Sequence, residues 1–449
     1  MFLTNYKIIV SNIFVIICGG VHILYDFYLW GRDMNELAKV SRAFYILHSS
    51  IVKNIYDGDW YDFLKSKKVF KKFQDSKKTI DDFITAEITD ANITVDELNK
   101  FLSESLVFGK HKEVHLYNLQ KGYHYKQKEL VEILNLKFGI KSINYNELAR
   151  SYTLGTDKYE ALAYVEPIEI DKLDGIVKSI RMIFVKKVNY QIGLKTFYEN
   201  SYFPIDVDFI KKQMIVKNYP KIHLLGNERG LIIAQYFAEK VKNMFCFEDN
   251  VSLQSKYQRA LYSMCNYLLD CVIQEKSKLQ IGNLDEIVNN VSEHLKTELE
   301  EKIDINALFI KYKKNIFNME EQIINIIENV IITKILLDAK VNESSSSIFG
   351  LISYIRFKEK SAVNAVLKNH RRSESLIDSQ SYLNIRKTLK ETRYIEEIKL
   401  IWSDEDKEIS MKYDASSNIN YIVLHFYRRF MEDDLDYAIK KLYEFCIEE

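Results

Sequence analysis

The stretch YLNIRKTLKETRYIEEIKLIWSDEDKEISMKY, residues 382–413, decides how the C-terminal part of this chain is read. Its first half has helical spacing. Arg386, Lys390 and Arg393 step by four and three and share a face, with Lys387 beside them. Ile385 and Leu389 fall on a neighbouring face that can pack inward, and Asp378 or Ser379 can cap the helix. The second half alternates. Ile398, Leu400 and Trp402 share one side of a strand, and Ile409, Met411 and Tyr413 share a side of the return strand. Upstream, SAVNAVLKNH (361–370) reads as another helix, followed by His370-Arg371-Arg372. Helix, helix, hairpin is the order of a winged helix, whose second helix enters the major groove of DNA. On that reading Arg386, Lys387, Lys390 and Arg393 touch nucleic acid. Leu383 inside the basic arc opposes it, and so do Asp404, Glu405 and Asp406 at the wing tip, which repel phosphate. The other reading is a small α+β unit whose charges are simply solvated.

Outward from this stretch, NESSSS (342–347) is the most polar linker in the chain and places a boundary before residue 346. The preceding segment, 229–345, reads as helical. Ile233, Phe237, Val241 and Met244 form one stripe, Asn283 starts a second helix, and an isoleucine-rich third has a stripe too broad for a strict heptad. Residues 111–228 change character. EVHLYNL, ALAYVEPIEI, SIRMIFVKKV, FPIDVDFI and QMIVKN are short and β-branched, and they predict a mixed or antiparallel sheet around one helix, QKELVEILNLKF. Ile205, Val207 and Phe209 alternate with Asp206 and Asp208. All three prolines lie here, where strand ends and edges tolerate a missing donor. Residues 34–110 return to helix, with Leu37, Val40, Phe44, Leu47 and Ile51 on one face, and with Thr94 and Glu97 as a capping box. The fold class is therefore α+β, helix-rich and multidomain: a central sheet flanked by helices, then a C-terminal α+β unit.

Residues 1–33 are set apart by the run IIVSNIFVIICGGVHIL (8–24). It is about long enough to cross a bilayer, although Asn12 and His22 interrupt it. It has no small-x-small cleavage site. Two readings stand: a membrane anchor, or a buried hairpin turning at Ser11-Asn12 between KIIV and IFVIIC.

The totals limit function. Of 449 residues, 63 are basic and 63 acidic, so no global field draws the protein to nucleic acid or anionic lipid, and any attraction must be local. An odd set of cysteines (Cys18, Cys246, Cys265, Cys271, Cys446) with no CxxC points to a reducing, cytoplasmic compartment and to free thiols. No P-loop, dinucleotide fingerprint or nucleophile elbow occurs, and no cofactor is expected. His111 and His115 in HKEVH lack the zincin order and overlap a strand, which would hold the rings about 13 Å apart. Glu166, Glu169, Asp206 and Asp208 could hold magnesium for phosphodiester hydrolysis, but QMIVKN offers Lys217 with no acidic residue two before it. Those carboxylates read as the wet face of a half-exposed sheet.

One short segment resembles a known family. SRAFYILHSSIV, with Arg42 and His48, is similar to the helix of HEPN-domain proteins that starts SRAYY, with one residue fewer before the histidine. The resemblance covers about a dozen residues. It implies a metal-independent ribonuclease in which Arg42 holds a phosphate and His48 helps move a proton at the 2′-oxygen. The leading expectation is different: an intracellular binding module for nucleic acid or a protein partner, without chemistry of its own. Motif-poor chains of this kind are frequent in mobile-element and antiviral defence systems. A membrane-anchored interaction protein is the third reading.

Overall fold

Alternating apolar side chains in the middle and at the end of the chain build one sheet, and helices cover parts of both its faces. The structure, a computed structural model, describes residues 13–18, 21–26, 46–276 apart from short breaks, scattered positions between 286 and 330, and 350–446 apart from short breaks. Strands β1 (Ile13–Cys18) and β2 (Val21–Asp26) pair antiparallel, with Cys18 opposite Val21. The apolar beginning thus carries a hairpin, but not the one expected. Both strands lie after Ser11-Asn12, with Phe14 opposite Tyr25 and Ile16 opposite Ile23. Among the described residues no helix is long and apolar enough to cross a membrane.

A helical layer follows: α1 (Ser49–Val52), α2 (Asp57–Ser66), α3 (Phe70–Ser76), α4 (Ile80–Thr89) and α5 (Val95–Val107). The capping box at Thr94 and Glu97 is present. The continuous helix expected through His48 is not. His48 is extended (φ −85°, ψ 136°) and caps the single turn of α1, accepting at Nδ1 from the Ser50 amide at 3.1 Å. Next come β3 (Glu113–Asn118), β4 (Tyr125–Lys126), α6 (Gln127–Phe138), β5 (Tyr145–Asn146), β6 (Glu160–Ile170), β7 (Ile176–Ile192), β8 (Lys195–Asp208) and β9 (Gln213–Asn218). Two helices, α7 (Gly230–Phe245) and α8 (Gln254–Lys276), precede β10 (Gly350–Lys358), β11 (Asn364–Lys368), α9 (Gln380–Thr392), β12 (Glu397–Asp404), β13 (Lys407–Asp414), β14 (Tyr421–Phe426) and α10 (Glu432–Glu444).

Twelve of these strands form a single antiparallel sheet, in the order β11-β10-β12-β13-β14-β3-β9-β8-β7-β6-β5, with β4 on β7. The class is therefore mixed α+β around a large antiparallel sheet. The last strand joins the first part of the sheet: β14 pairs with β3, Leu424 opposite Val114. The linker expected at 342–347 lies outside the described residues, and the sheet runs without a break from 113–218 into 350–426.

The winged-helix order does not survive. The segment read as its first helix carries strand β11, because pairing with β10 overrides the helix propensity of Ala365, Leu367 and Lys368. The expected hairpin exists as β12–β13, and Ile398, Leu400, Trp402, Ile409, Met411 and Tyr413 are all buried. It lies inside the sheet, since β12 also pairs with β10 and β13 with β14, so it cannot serve as a free wing.

One sheet face carries α6 and α7, whose Leu130, Leu134, Phe237 and Val241 pack on Met182, Phe184, Ile205 and Val216. The other face has two separate covers. Helices α8, α9 and α10 bury Leu116, Leu400, Met411 and Leu424, while the α1–α5 layer buries Ile183, Val185 and Tyr202. The junction of those two covers is where polar side chains collect.

Candidate functional site

Register places the polar group. Glu166 on β6 lies opposite Arg181 on β7, Arg181 opposite Asp206 on β8, and Asp206 opposite Ile215 on β9, two residues before Lys217. Residues that face each other across strands share a sheet face, so this row runs straight into the junction. Arg181 donates from Nε to Asp206 Oδ1 at 2.6 Å and from Nη2 to Oδ2 at 3.1 Å. Lys217 donates to Asp206 Oδ2 at 2.6 Å. Burial pushes the Asp206 carboxyl upward, but the Lys217 and Arg181 cations outweigh it and hold it at about 2. Burial also lowers Lys217, which Asp206 offsets only in part. The ring of Phe108 closes over both cations, 4.4 Å from the Lys217 ammonium and 5.3 Å from the Arg181 guanidinium carbon.

Of the four sheet carboxylates only Asp206 is withdrawn from the wet face, Glu166 and Glu169 being exposed and Asp208 partly so, and the four do not converge. Asp206 is locked in the buried ionic group. Glu166 accepts from the Tyr164 hydroxyl, Glu169 pairs with Lys178 at 2.8 Å, and Asp208 accepts from the amides of Ile210 and Lys211 in the turn. Among the described residues no three His, Cys, Asp or Glu side chains are arranged to hold a metal. His111 lies outside the described residues, and His115 sits on β3 as the strand reading requires.

Above the row opens a cleft of about 1240 Å³. Helices α2 and α5 form one wall with Asp59, Phe63, Phe101 and Glu104. Strands β5 to β7 form the floor with Tyr145, Tyr164, Glu166 and Arg181. The segment Arg429–Glu432, between β14 and α10, forms the third side. That segment is stitched to the helical layer. The Gly109 amide donates to the Phe430 carbonyl at 3.0 Å, and the Phe430 amide donates back at 3.1 Å. Gly109 has φ +90°, and a Cβ there would meet Asp59 Oδ2 at 2.7 Å, so only glycine suits both demands. Two ion pairs tie the cleft's sides together: Arg429 with Asp59 at 2.5 Å, and Arg181 with Glu432 at 3.6 Å. Asp59 is buried, and burial raises its carboxyl more than Arg429 lowers it.

Sign decides what such a lining attracts. Asp59, Asp62, Glu97, Glu104, Glu166 and Glu432 face the cleft against Lys67, Lys100, Arg181 and Arg429, six acidic side chains to four basic. Lys67 is tied to Glu97 at 2.6 Å, while Glu104, Glu166 and Glu432 stay open to solvent. The remaining field is negative, and the rings of Phe63, Phe101 and Tyr145 line the cleft beside it, the first two stacked on each other and Lys67 lying over Phe63. Carboxylates next to aromatic faces suit a cation.

No family model matches the chain, and no curated protein or solved structure is similar to it. The chemistry must be read from the site itself.

Of the site residues singled out in the sequence, Glu166 lines the cleft and Asp206 and Lys217 lie in the row beneath it, while the others lie elsewhere. Of the pair implied by the HEPN resemblance, Arg42 is outside the described residues, and His48 is the exposed cap of α1. On α9, capped by Ser379, Arg386 is half-buried and Lys390 is exposed, and the side chain of Lys387 lies outside the described residues. Arg393 is exposed but stands past the helix in the left-handed conformation (φ 57°), which breaks the expected stripe. Sequence reading missed Asp59, Tyr164, Arg181, Arg429 and Glu432. One signal was available: Arg181 interrupts the apolar run IRMIFV, and a charged residue amid β-branched neighbours asks for a buried partner.

Proposed function

We propose that this protein works as a binding module, and that the cleft between the α1–α5 layer and residues 429–432 receives a lysine- or arginine-bearing segment of a protein partner. The observation that carries this reading is the acid excess of a cleft walled by aromatic rings. Its volume exceeds the usual range for small-molecule pockets, roughly 300–1000 Å³, and suits a stretch of polypeptide. Asp206 and Lys217 lie beneath Arg181 as rigid support for the floor, and the Phe108 ring packs over both cations. The Asp59–Arg429 and Arg181–Glu432 pairs fix the distance between walls.

Fluorescence anisotropy with labelled ten-residue peptides, one lysine-rich and one glutamate-rich, tests the idea. The lysine-rich peptide should bind, more weakly as salt rises, and the glutamate-rich one should not. Reversing Glu104→Lys together with Glu166→Lys should weaken binding about tenfold, close to 1.4 kcal/mol. Both residues are exposed, so the fold should tolerate the change. Equal affinity for the two peptides, or no effect of the reversal, would remove the cleft from the account.

A further inference from the structure

Strands β7 and β8 are longer than the sheet they belong to. β6 pairs with β7 only as far as Lys186, and β9 pairs with β8 only over Ile205–Asp208. Beyond those limits, Lys187 pairs with Asn200, Asn189 with Tyr198, Gln191 with Thr196 and Ile192 with Lys195, and among the described residues no third strand joins them. The result is a two-stranded arm, about 20 Å long at the usual rise per residue. An isolated two-stranded ribbon is only marginally stable in water, so an arm of this length gains from a surface to lie on.

The arm's two faces differ. Cross-strand pairing places Lys187, Asn189, Gln191, Thr196, Tyr198 and Asn200 together on one face. Each of these side chains can donate a hydrogen bond, and all but lysine can also accept. The other face carries Val188, Lys195, Phe197 and Glu199, and Val188 at its root is fully buried in the α6–α7 core. Around the arm, Lys186, Lys187 and Lys195 outnumber Glu199 by two, in a chain whose overall charge is zero. Lys187 lies over the ring of Tyr198 at 5.0 Å, and Tyr198 is 61% exposed.

We infer that this arm docks duplex DNA, entering the major groove with its amide- and hydroxyl-bearing face. A two-stranded ribbon fits that groove, and asparagine, glutamine, lysine and threonine are side chains that pair with base edges there. Lys187 on this face and Lys195 at the end of the arm meet the phosphates. A protein partner fits less well, because an interface centre is rich in apolar anchors and this face offers a single aromatic ring. The inference stands apart from the cleft and does not depend on it.

The test uses the full chain and a fluorescent 20-base-pair DNA duplex of mixed sequence. Binding should weaken as salt rises. Lys187→Glu with Lys195→Glu should weaken it at least tenfold and flatten the salt dependence, while Lys390→Ala with Arg393→Ala on α9 leaves it nearly unchanged. Hydrogen exchange should slow across residues 187–200 when the duplex is added to the unaltered protein, a measurement independent of how the variants fold. The arm is excluded if the chain binds no duplex at low salt, or if folded arm variants bind like the parent. It is also excluded if the α9 variant alone abolishes binding, if exchange in the arm does not respond, or if the arm variants change only self-association in sedimentation.

Discussion

His115 shows how a single residue sets a pH limit. It lies on β3, fully buried, and burial followed by the neighbouring His425 holds its imidazole down at about 3, against a weaker pull from Asn218. Around it the sheet is ionic: Glu397 pairs with Arg356 and with Lys412 at 2.8 Å each, Lys412 with Asp414 at 3.0 Å, and His425 lies 3.6 Å from Asp414 and 3.7 Å from Glu113. A neutral ring fits that buried place. The unfolded chain, with an ordinary histidine value near 6.5, takes up a proton that the folded chain refuses. His115 therefore leaves stability whole above about pH 6.5 and erodes it as pH falls toward about 3, by up to about 1.4 kcal/mol per pH unit. Urea unfolding at pH 7, 6 and 5 should show this slope, and His115→Phe should reduce it. An unchanged slope in the variant would mean that other groups govern acid sensitivity. For this histidine the sequence set a metal site with His111 aside, because HKEVH lacks the zincin order and overlaps a strand. Its alternation with Val114 and Leu116 already said strand, but burial of the polar side needs the rest of the sheet.

Elements were legible where a local pattern and its tertiary use agree. Helix α5 is the plainest case. Thr94 accepts from the Glu97 amide at 3.2 Å, and Glu97 accepts from the Thr94 amide at 2.9 Å. The Lys67 hydrogen bond, then those from Thr94, hold the Glu97 carboxyl at about 2. Leu98, Leu102 and Leu106 are buried at the expected spacing. Thr94→Ala removes one acceptor and half of the reciprocal pair, and should cost about 1 kcal/mol in chemical denaturation. A loss below about 0.3 kcal/mol would mean that solvent replaces the cap. The hairpin β12–β13 was equally readable, since both apolar sets alternate without error. Reading failed where long-range pairing overrode local preference. The segment NAVLK has helix-forming residues and becomes an edge strand, because β10 offers it a ladder. At 46–48 the apolar stripe runs on, yet the backbone turns extended so that His48 can cap α1. Stripes report which side is buried and are silent about a break between them.

At the scale of the molecule the decisive contact is β14 with β3, which joins strands more than three hundred residues apart. No window of sequence contains both, so the division at 346 was drawn where composition changes and not where the sheet ends. The cleft has the same origin. Asp59, Arg181 and Arg429 come from three distant parts of the chain, and each alone is an unremarkable charge. This topology makes a prediction about residues 346–449 as a separate fragment. Its core includes Val114 and Leu116 from β3 and Leu261, Met264 and Leu268 from α8, all fully or almost fully buried. Without them β14 becomes a bare edge, and Leu424, Ile398 and Leu400 lose their covering side chains. The fragment should show no cooperative thermal transition and should aggregate. Produced in the same cell as residues 1–345, it should pair with that piece and copurify, because the missing strand and helix are then supplied in trans. A sharp transition for the fragment alone would mean that the sheet is two units abutting at β14, each with a sufficient core. The ion pairs at 429–432 would then be a docking contact between domains, and the cleft would open and close with it.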